Sequence, residues 1–184
     1  MMERPALALV FGKQTVLVLT TQLVQILEVI NKGNNMLICF DIDGTLANCQ
    51  HRVHFVRTNP KNWKAFDAGI PNDTVIEPVA EMFHTLRGAG HDVIFASGRS
   101  ENSRTATVEW LTQHGFWDVA THLYMRKAND FRGDDIVKRE ILDTIVSHFG
   151  RKPDMVFDDR PRVVKMWRDN GIFVFDVYQE TEDF

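Results

Sequence analysis

Three short strand-like runs, residues 36–40, 92–96 (apolar after Asp92) and 155–157, each break off at a polar cluster, and this pattern limits the folds open to the chain more than any other feature. A continuous apolar run of that length marks a strand buried on both faces, the usual strand of a parallel sheet. The first run leads into Asp41-Ile42-Asp43-Gly44-Thr45, the second into Ser97-Gly98-Arg99 and the third into Asp158-Asp159-Arg160. Between them apolar residues recur at helical spacing: Val79, Met82, Phe83 and Leu86 over 77–88, Val108, Trp110 and Leu111 over 102–114, and Ile136, Val137, Ile141, Ile145 and Val146 over 134–149. A short strand at 122–125, a helix at 162–170 and a strand at 172–177 complete the series. Strands alternating with helices predict an α/β fold with a doubly wound, mainly parallel sheet. Right-handed crossovers then gather the strand C-termini at one edge, where ligands bind in open sheets of this kind. Residues at about 47–75 interrupt the alternation and read as a small cap insertion.

The first 35 residues follow a different pattern. Two short apolar or alternating runs flank Gly12-Lys13, which predicts a hairpin, and Leu23, Ile26, Leu27 and Ile30 predict a helix ended by Gly33-Asn34-Asn35. This is expected to be an appendage to a main domain at 36–184. Lys13, Gln14, Gln22, Gln25 and Glu28 interrupt the apolar stretch, so it lacks the roughly 18 uninterrupted apolar residues of a membrane helix. The formal charge of −4 gives no overall basic field, so a nucleic-acid partner would have to meet a local basic patch. Two cysteines with no CxxC spacing make no disulfide framework and point to a reducing, cytoplasmic setting. The oligomeric state is not legible.

The polar clusters carry the chemistry. Asp41, Asp43, Asp158 and Asp159 converging on one point need a counter-charge. A hard cation with oxygen ligands supplies it, and Mg²⁺ suits a few carboxylates completed by water and substrate oxygens. Ser97 and turn amides can hold phosphate oxygens, while Lys138 and an arginine can neutralise charge that builds up in transfer. Asp43 lies two residues beyond Asp41, within reach to protonate a leaving oxygen and later to deprotonate a water. The set describes phosphoryl transfer to a carboxylate and then to water, on a phosphate ester substrate.

At these positions the chain resembles the haloacid dehalogenase (HAD) phosphatase superfamily, whose Rossmann-like fold carries four signatures: DxDGT at 41–45, the strand-end serine at Ser97, the lysine at Lys138 and the acidic pair Asp158-Asp159. The resemblance implies Asp41 as nucleophile and Asp43 as general acid and base. It also implies Mg²⁺ held by Asp41, the backbone carbonyl of Asp43 and Asp158, with Asp159 near the ion; how Asp158 and Asp159 divide that work stays open. From about residue 36 onward the chain is similar to the 3′-phosphatase domains of bacteriophage polynucleotide kinase-phosphatases. The matching stretches are DIDGTLA (41–47), SGR (97–99), Arg126 before DDIVKRE (134–140), FDDRPRVVKMWRDNGI (157–172) and the acidic-Asp-Phe ending at Phe184. That similarity implies phosphate contacts or transition-state stabilisation by Arg99 and Arg126. Thr45, Gly98 and Arg52 are expected at the bound substrate, and Arg52 and Asp134 correspond more loosely. It implies a 3′-phosphatase of DNA or RNA ends, a nucleic acid repair activity. No GxxxxGK[ST] occurs, so no kinase motif accompanies it. A phosphatase of nucleoside monophosphates or other small esters remains the alternative, and a non-catalytic binding module of the same fold is the rival from another class.

Several residues keep two readings. Asp134 either caps its helix or supports the site. Asp159 either approaches the metal or binds Lys138 or Arg160. Lys127 and Arg132 compete with Arg126. Trp63 and Phe66 either stack a base or sugar or form the small core of the cap. His51 and His54 lack zinc spacing and are expected at surface or cap contacts.

Overall fold

The computed structural model describes residues 35–177. The hairpin-plus-helix appendage expected at 1–35 and the acidic-Asp-Phe ending lie outside those residues, apart from Asn35. The central sheet is built from β1 (Leu37–Phe40), β4 (Asp92–Ser100), β5 (His122–Arg126), β6 (Met155–Asp158) and β7 (Phe173–Asp176). Its strand order is β5-β4-β1-β6-β7, and every pairing is parallel. The chain therefore starts in the middle, winds outward to one side and then returns to wind outward on the other. This is the doubly wound α/β arrangement.

The period of two along each strand sorts its side chains between the two faces. Ile38, Phe40, Phe95 and Phe157 enter one core; Leu37, Cys39, Ile94, Ala96 and Val156 enter the other. Helices α3 (Glu77–Gly88) and α4 (Arg104–Gln113) cover the first core through Val79, Phe83, Trp110 and Leu111. Helices α5 (Asp134–Phe149) and α6 (Pro161–Asp169) cover the second through Val137, Ile141, Ile145, Val163 and Trp167. Local chemistry sets the ends of these helices. Asp134 and Asp135 lie in the first turn of α5, where carboxylates favour the helix dipole, and Gly150 closes it at φ 69° in the left-handed conformation. Prolines open α3 and α6, where a missing N–H is no loss.

The cap occupies the stretch between β1 and α3. It holds β2 (Ala47–Asn48) paired antiparallel with β3 (Thr74–Val75), α1 (Gln50–Val53), α2 (Trp63–Ala68) and a 3₁₀ turn at Ile70–Asn72. Cys49, Val53, Val56 and Phe66 form its own small core. One element differs from expectation: β4 does not stop at Ala96. Its ladder with β5 slips between Ser97 and Ser100 and then resumes at Ser100 opposite Arg126, so Ser97, Gly98 and Arg99 belong to a bulged strand end. A bulge of this kind re-aims side chains without ending the strand.

Candidate active site

Parallel strands in neighbouring positions deliver their C-terminal residues side by side. Asp41 leaves β1, and its N–H donates to the Phe157 carbonyl of β6 at 2.9 Å, which fixes its depth relative to Asp158. The chain then turns sharply, with the N–H groups of Thr45, Leu46 and Ala47 all donating to the Ile42 carbonyl. Gly44 makes this possible in two ways. Its φ of +86° is a conformation L side chains avoid, and a Cβ there would stand 2.0 Å from Asp159 Oδ2. The glycine thus lets Asp159 approach the loop, where Thr45 Oγ1 donates to Asp159 Oδ1 at 3.4 Å.

Lys138, on α5, reaches into this cluster. Its Nζ lies 2.8 Å from Asp41 Oδ1 and 2.8 Å from Asp158 Oδ2, and it is almost wholly buried. Asp158 also accepts from Trp167 Nε1 at 3.0 Å and from the Arg160 N–H at 3.2 Å, so its orientation is determined on several sides. Burial disfavours the Lys138 charge, but Asp158 and Asp41 outweigh it and hold the ammonium above its ordinary range. Asp41 shows the reverse balance. Burial raises its carboxyl well above the usual range, Lys138 opposes the rise, and Asp158 and Asp159 add to it. Burial, then Asp158, push Asp159 up to about 6.

Asp41, Asp158 and Asp159 present carboxylate oxygens within 4.8 Å of one another. With a single ammonium among three carboxylates, the group carries surplus negative charge in a dry setting. A nucleophilic carboxylate has to be ionised, and at Asp41 burial opposes that form while Lys138 favours it. The oxygen-only donor set, its geometry and the charge imbalance fit a hard divalent cation. The Asp43 side chain is not part of this group, so any metal contact from Asp43 falls to its backbone carbonyl.

The carboxylate of Asp43 turns instead toward two guanidiniums. Arg99 donates from Nη2 at 2.6 Å and from Nε at 3.1 Å, and Arg52 donates from Nη2 at 2.5 Å. Burial works to raise the Asp43 carboxyl, but the charges of Arg99 and Arg52 overcome it and hold the group well below the ordinary carboxylate range. Both arginines also bind Asp73: Arg52 from Nε and Nη2 at 2.7 Å each, and Arg99 from Nη2 at 2.8 Å. His51 Nε2 lies 3.0 Å from the same carboxylate. Two carboxylates and two guanidiniums therefore form a nearly closed quartet between cap and sheet. Arg52, expected at the substrate, has 0% exposure and packs its guanidinium 4.0 Å from the Phe66 ring centroid, so here it holds Asp43 and Asp73 and does not face solvent. Gly69 belongs to the same packing, since a Cβ there would stand 2.9 Å from Arg52 Cδ.

A second guanidinium group lies at the end of β5. Arg126 donates to the Gly98 carbonyl at 2.9 Å and the Arg132 carbonyl at 2.7 Å, and pairs with Asp134. Arg160 also pairs with Asp134. The Asp134 carboxylate is thus occupied by arginines and does not cap α5, whose N-cap is Gly133. Gly98 allows that arrangement, because a Cβ there would meet Asp134 Oδ1 at 3.1 Å. Ser97 is buried, and its Oγ accepts from the Arg99 N–H at 3.2 Å.

Sequence reasoning named Asp41, Asp43, Thr45, Arg52, Ser97, Gly98, Arg99, Arg126, Lys138, Asp158 and Asp159, and these occupy one edge of the sheet and the adjoining cap base. It missed Asp73 and Trp167. Asp73 follows Asn72 in a turn and carries no motif; its burial between two arginines is a long-range fact. The bond from the Trp167 indole N–H to Asp158 has no sequence signal. Packing separates the two cap aromatics: Phe66 is cap core, while Trp63 is 44% exposed.

Residues 35–184 match a family model described as the polynucleotide kinase PNKP phosphatase domain. A putative bifunctional polynucleotide kinase/RNA ligase of Autographa californica nuclear polyhedrosis virus is 30% identical over 159 residues, covering 84% of this chain and 21% of that protein. A chain in a solved Pnkp1/Rnl/Hen1 RNA repair complex superposes with TM-score 0.63 at 31% identity, covering 80% of this chain and 43% of its own length. A second Pnkp1/Rnl/Hen1 structure gives TM-score 0.65 at 29% identity, with coverage of 82% and 48%. The chain therefore spans less than half the length of these relatives. A haloacid dehalogenase-like hydrolase of Streptococcus pneumoniae shares the fold at TM-score 0.56 and 12% identity, over 77% of this chain and 84% of that one. Among the described residues no helix is long and apolar enough to cross a membrane.

Proposed function

The chain belongs to the polynucleotide kinase PNKP phosphatase-domain family, a family of phosphoric monoester hydrolases with the HAD fold, and from that premise we propose that it removes 3′-phosphates from DNA or RNA ends through a phospho-aspartate at Asp41. The observation that carries the reading is the cluster of buried Asp41, Asp158 and Lys138 with half-buried Asp159 at the sheet's C-terminal edge. A divalent ion, Mg²⁺ in this proposal, would be held by Asp41, Asp158, the Asp43 carbonyl and, directly or through water, Asp159. When bound, it supplies positive charge that keeps Asp41 ionised and screens it from an incoming phosphate.

Asp41 then attacks phosphorus; the bond from phosphorus to the ester oxygen breaks, and the leaving oxygen takes a proton. Lys138 holds the Asp41 carboxylate in place and balances charge in the transition state. Asp43 is suited to the proton transfers by its reach, but Arg52 and Arg99 favour its ionised form. A phosphate dianion arriving beside the partly exposed Asp43 carboxylate raises its proton affinity. Ionised Asp43 can then take a proton from the water that hydrolyses the phospho-aspartate, releasing inorganic phosphate and restoring Asp41. Arg126, braced by Gly98 and Asp134, lies at the same edge to meet a phosphate oxygen, and Ser97, Thr45 and Gly98 line the loop ends around it. Two buried free thiols, Cys39 and Cys49, support a reducing, cytoplasmic setting. Repair of RNA ends, the setting in which Pnkp1 is found with Rnl and Hen1, suits the reaction.

The test is phosphate release, with Mg²⁺ and with EDTA, from a 3′-phosphorylated oligonucleotide, its 5′-phosphorylated twin and a panel of mononucleotides. Metal-dependent release confined to the 3′ end, and abolished in Asp41→Asn, is the expected result. Release from mononucleotides alone would move the enzyme to small esters.

A further inference from the structure

We propose that the outer face of the cap, built on Trp63, Lys61 and Lys64, is the docking surface for the single-stranded nucleic acid that leads to the scissile end. The inference rests on the reading of the substrate as a polynucleotide end and adds where the rest of that strand lies.

Charge is the first argument. The chain has 25 acidic and 21 basic residues, yet from Gly44 to Phe66 there is no Asp or Glu, while Arg52, Arg57, Lys61 and Lys64 fall in that stretch. Arg52 is spent inside the quartet, but Arg57, Lys61 and Lys64 are exposed. A locally basic face on an acidic protein is what a phosphodiester backbone needs, since the molecule as a whole offers no such field.

Aromatic placement is the second. Trp63 is 44% exposed at the first position of α2, although its neighbour Phe66 fills the cap core. The exposed part of the indole is open to a ligand, and every nucleobase has a face to stack on it. The ring is also held in place. Asn62 caps α2 by accepting from the Ala65 N–H at 3.1 Å, the edge-to-face contact with Phe66 sets the ring centroids 5.8 Å apart, and Lys61 Nζ lies 5.4 Å from the indole centroid. The loop before it is tied down by the Asn62 N–H to the Phe55 carbonyl at 2.8 Å and by Thr58 Oγ1 to the Phe55 carbonyl at 2.9 Å. A fixed aromatic ring with flanking lysines loses little freedom on binding.

Position is the third. Trp63 touches Phe66, Phe66 packs on Arg52, and Arg52 binds Asp43. The exposed indole thus stands on the same cap as Arg52, with two buried side chains between it and Asp43. Together the three features describe the pairing of a stacking platform with backbone-neutralising cations that binds single strands without reading their sequence.

The experiment uses the full chain and a short fluorescent single-stranded oligonucleotide ending in a 3′-hydroxyl, with binding followed by anisotropy over a salt series. Trp63→Ala is expected to weaken binding about ten-fold, and Trp63→Phe to recover most of that loss. Lys61→Ala combined with Lys64→Ala is expected to lower the slope of log affinity against log salt by about 0.7 for each phosphate contact removed. Binding by Trp63→Ala within about two-fold of the starting chain overturns the inference, as does no measurable binding by the starting chain. Equal binding of an acidic peptide would assign the face to negative charge alone and also overturn it. Turnover of 3′-phosphorylated oligonucleotides is measured in parallel. If the starting chain binds the oligonucleotide and dephosphorylates none, the functional reading fails while the binding result still decides this one.

Discussion

Replacing Asp73 with Asn tests whether the quartet of Asp43, Asp73, Arg52 and Arg99 acts as a unit. Asp73 is 3% exposed and accepts three hydrogen bonds from the two guanidiniums at 2.7–2.8 Å. Asn preserves the shape and one acceptor oxygen but removes the charge, leaving two buried guanidiniums against the single carboxylate of Asp43. Breaking a buried pair from one side costs about 3–5 kcal/mol, because the remaining charge stays desolvated. The retained acceptor places Asp73→Asn near the lower end, at about 3 kcal/mol. For a domain of this size 1 kcal/mol shifts Tm by about 2–4 °C, so the expected fall is about 6–12 °C. The assay is thermal unfolding followed by far-UV circular dichroism. Combining Asp73→Asn with Arg52→Gln restores one charge against one and should recover part of the loss, a coupling of about 1 kcal/mol or more in a double-mutant cycle. A Tm within about 2 °C of the starting protein, or strict additivity in the cycle, would refute the idea of a charge-balanced unit.

Three further outcomes follow from the site. Asp43→Asn should slow hydrolysis of alkyl phosphates by about 10²–10⁴-fold, with a smaller loss on aryl phosphates whose leaving group needs no proton; equal losses would count against Asp43 as the acid. Gly44→Ala places a Cβ 2.0 Å from Asp159 Oδ2 at a φ of +86°, so it should cost about 1–2 kcal/mol of stability and weaken Mg²⁺ binding measured by calorimetry, and an unchanged affinity would separate Asp159 from the ion. Mg²⁺ at about 100 times its Kd should stabilise the protein by about 2.7 kcal/mol, and a Tm gain that survives Asp158→Asn would show that the ion binds elsewhere.

Much of the fold was open to reading because its signals are local. The run Leu37–Phe40 is apolar without alternation and becomes a central strand buried on both faces, while the helical spacing from Ile136 to Val146, with acids at one end and Gly150 at the other, matches α5 to the residue. The turn at 41–45 needs Gly44 whatever surrounds it. The slip in β4 was not legible, because a strand that continues through Ser97, Gly98 and Arg99 has neither an apolar run nor an alternation to announce it.

Side-chain partnerships belong to the tertiary structure. Nothing near Arg52 in sequence shows that its guanidinium would be sealed against Asp73, 21 residues on, or that Arg99 would reach the same carboxylate from 26 residues beyond Asp73. Spacing could not say which of Trp63 and Phe66 would fill the cap, and packing alone put one inside and the other out. The order of strands and helices and the residue types at their ends are written locally in the chain, since backbone period and turn chemistry act over a few residues. Which charges meet is set by three-dimensional packing, because burial multiplies the cost of an unpaired charge and lets distant segments satisfy one another.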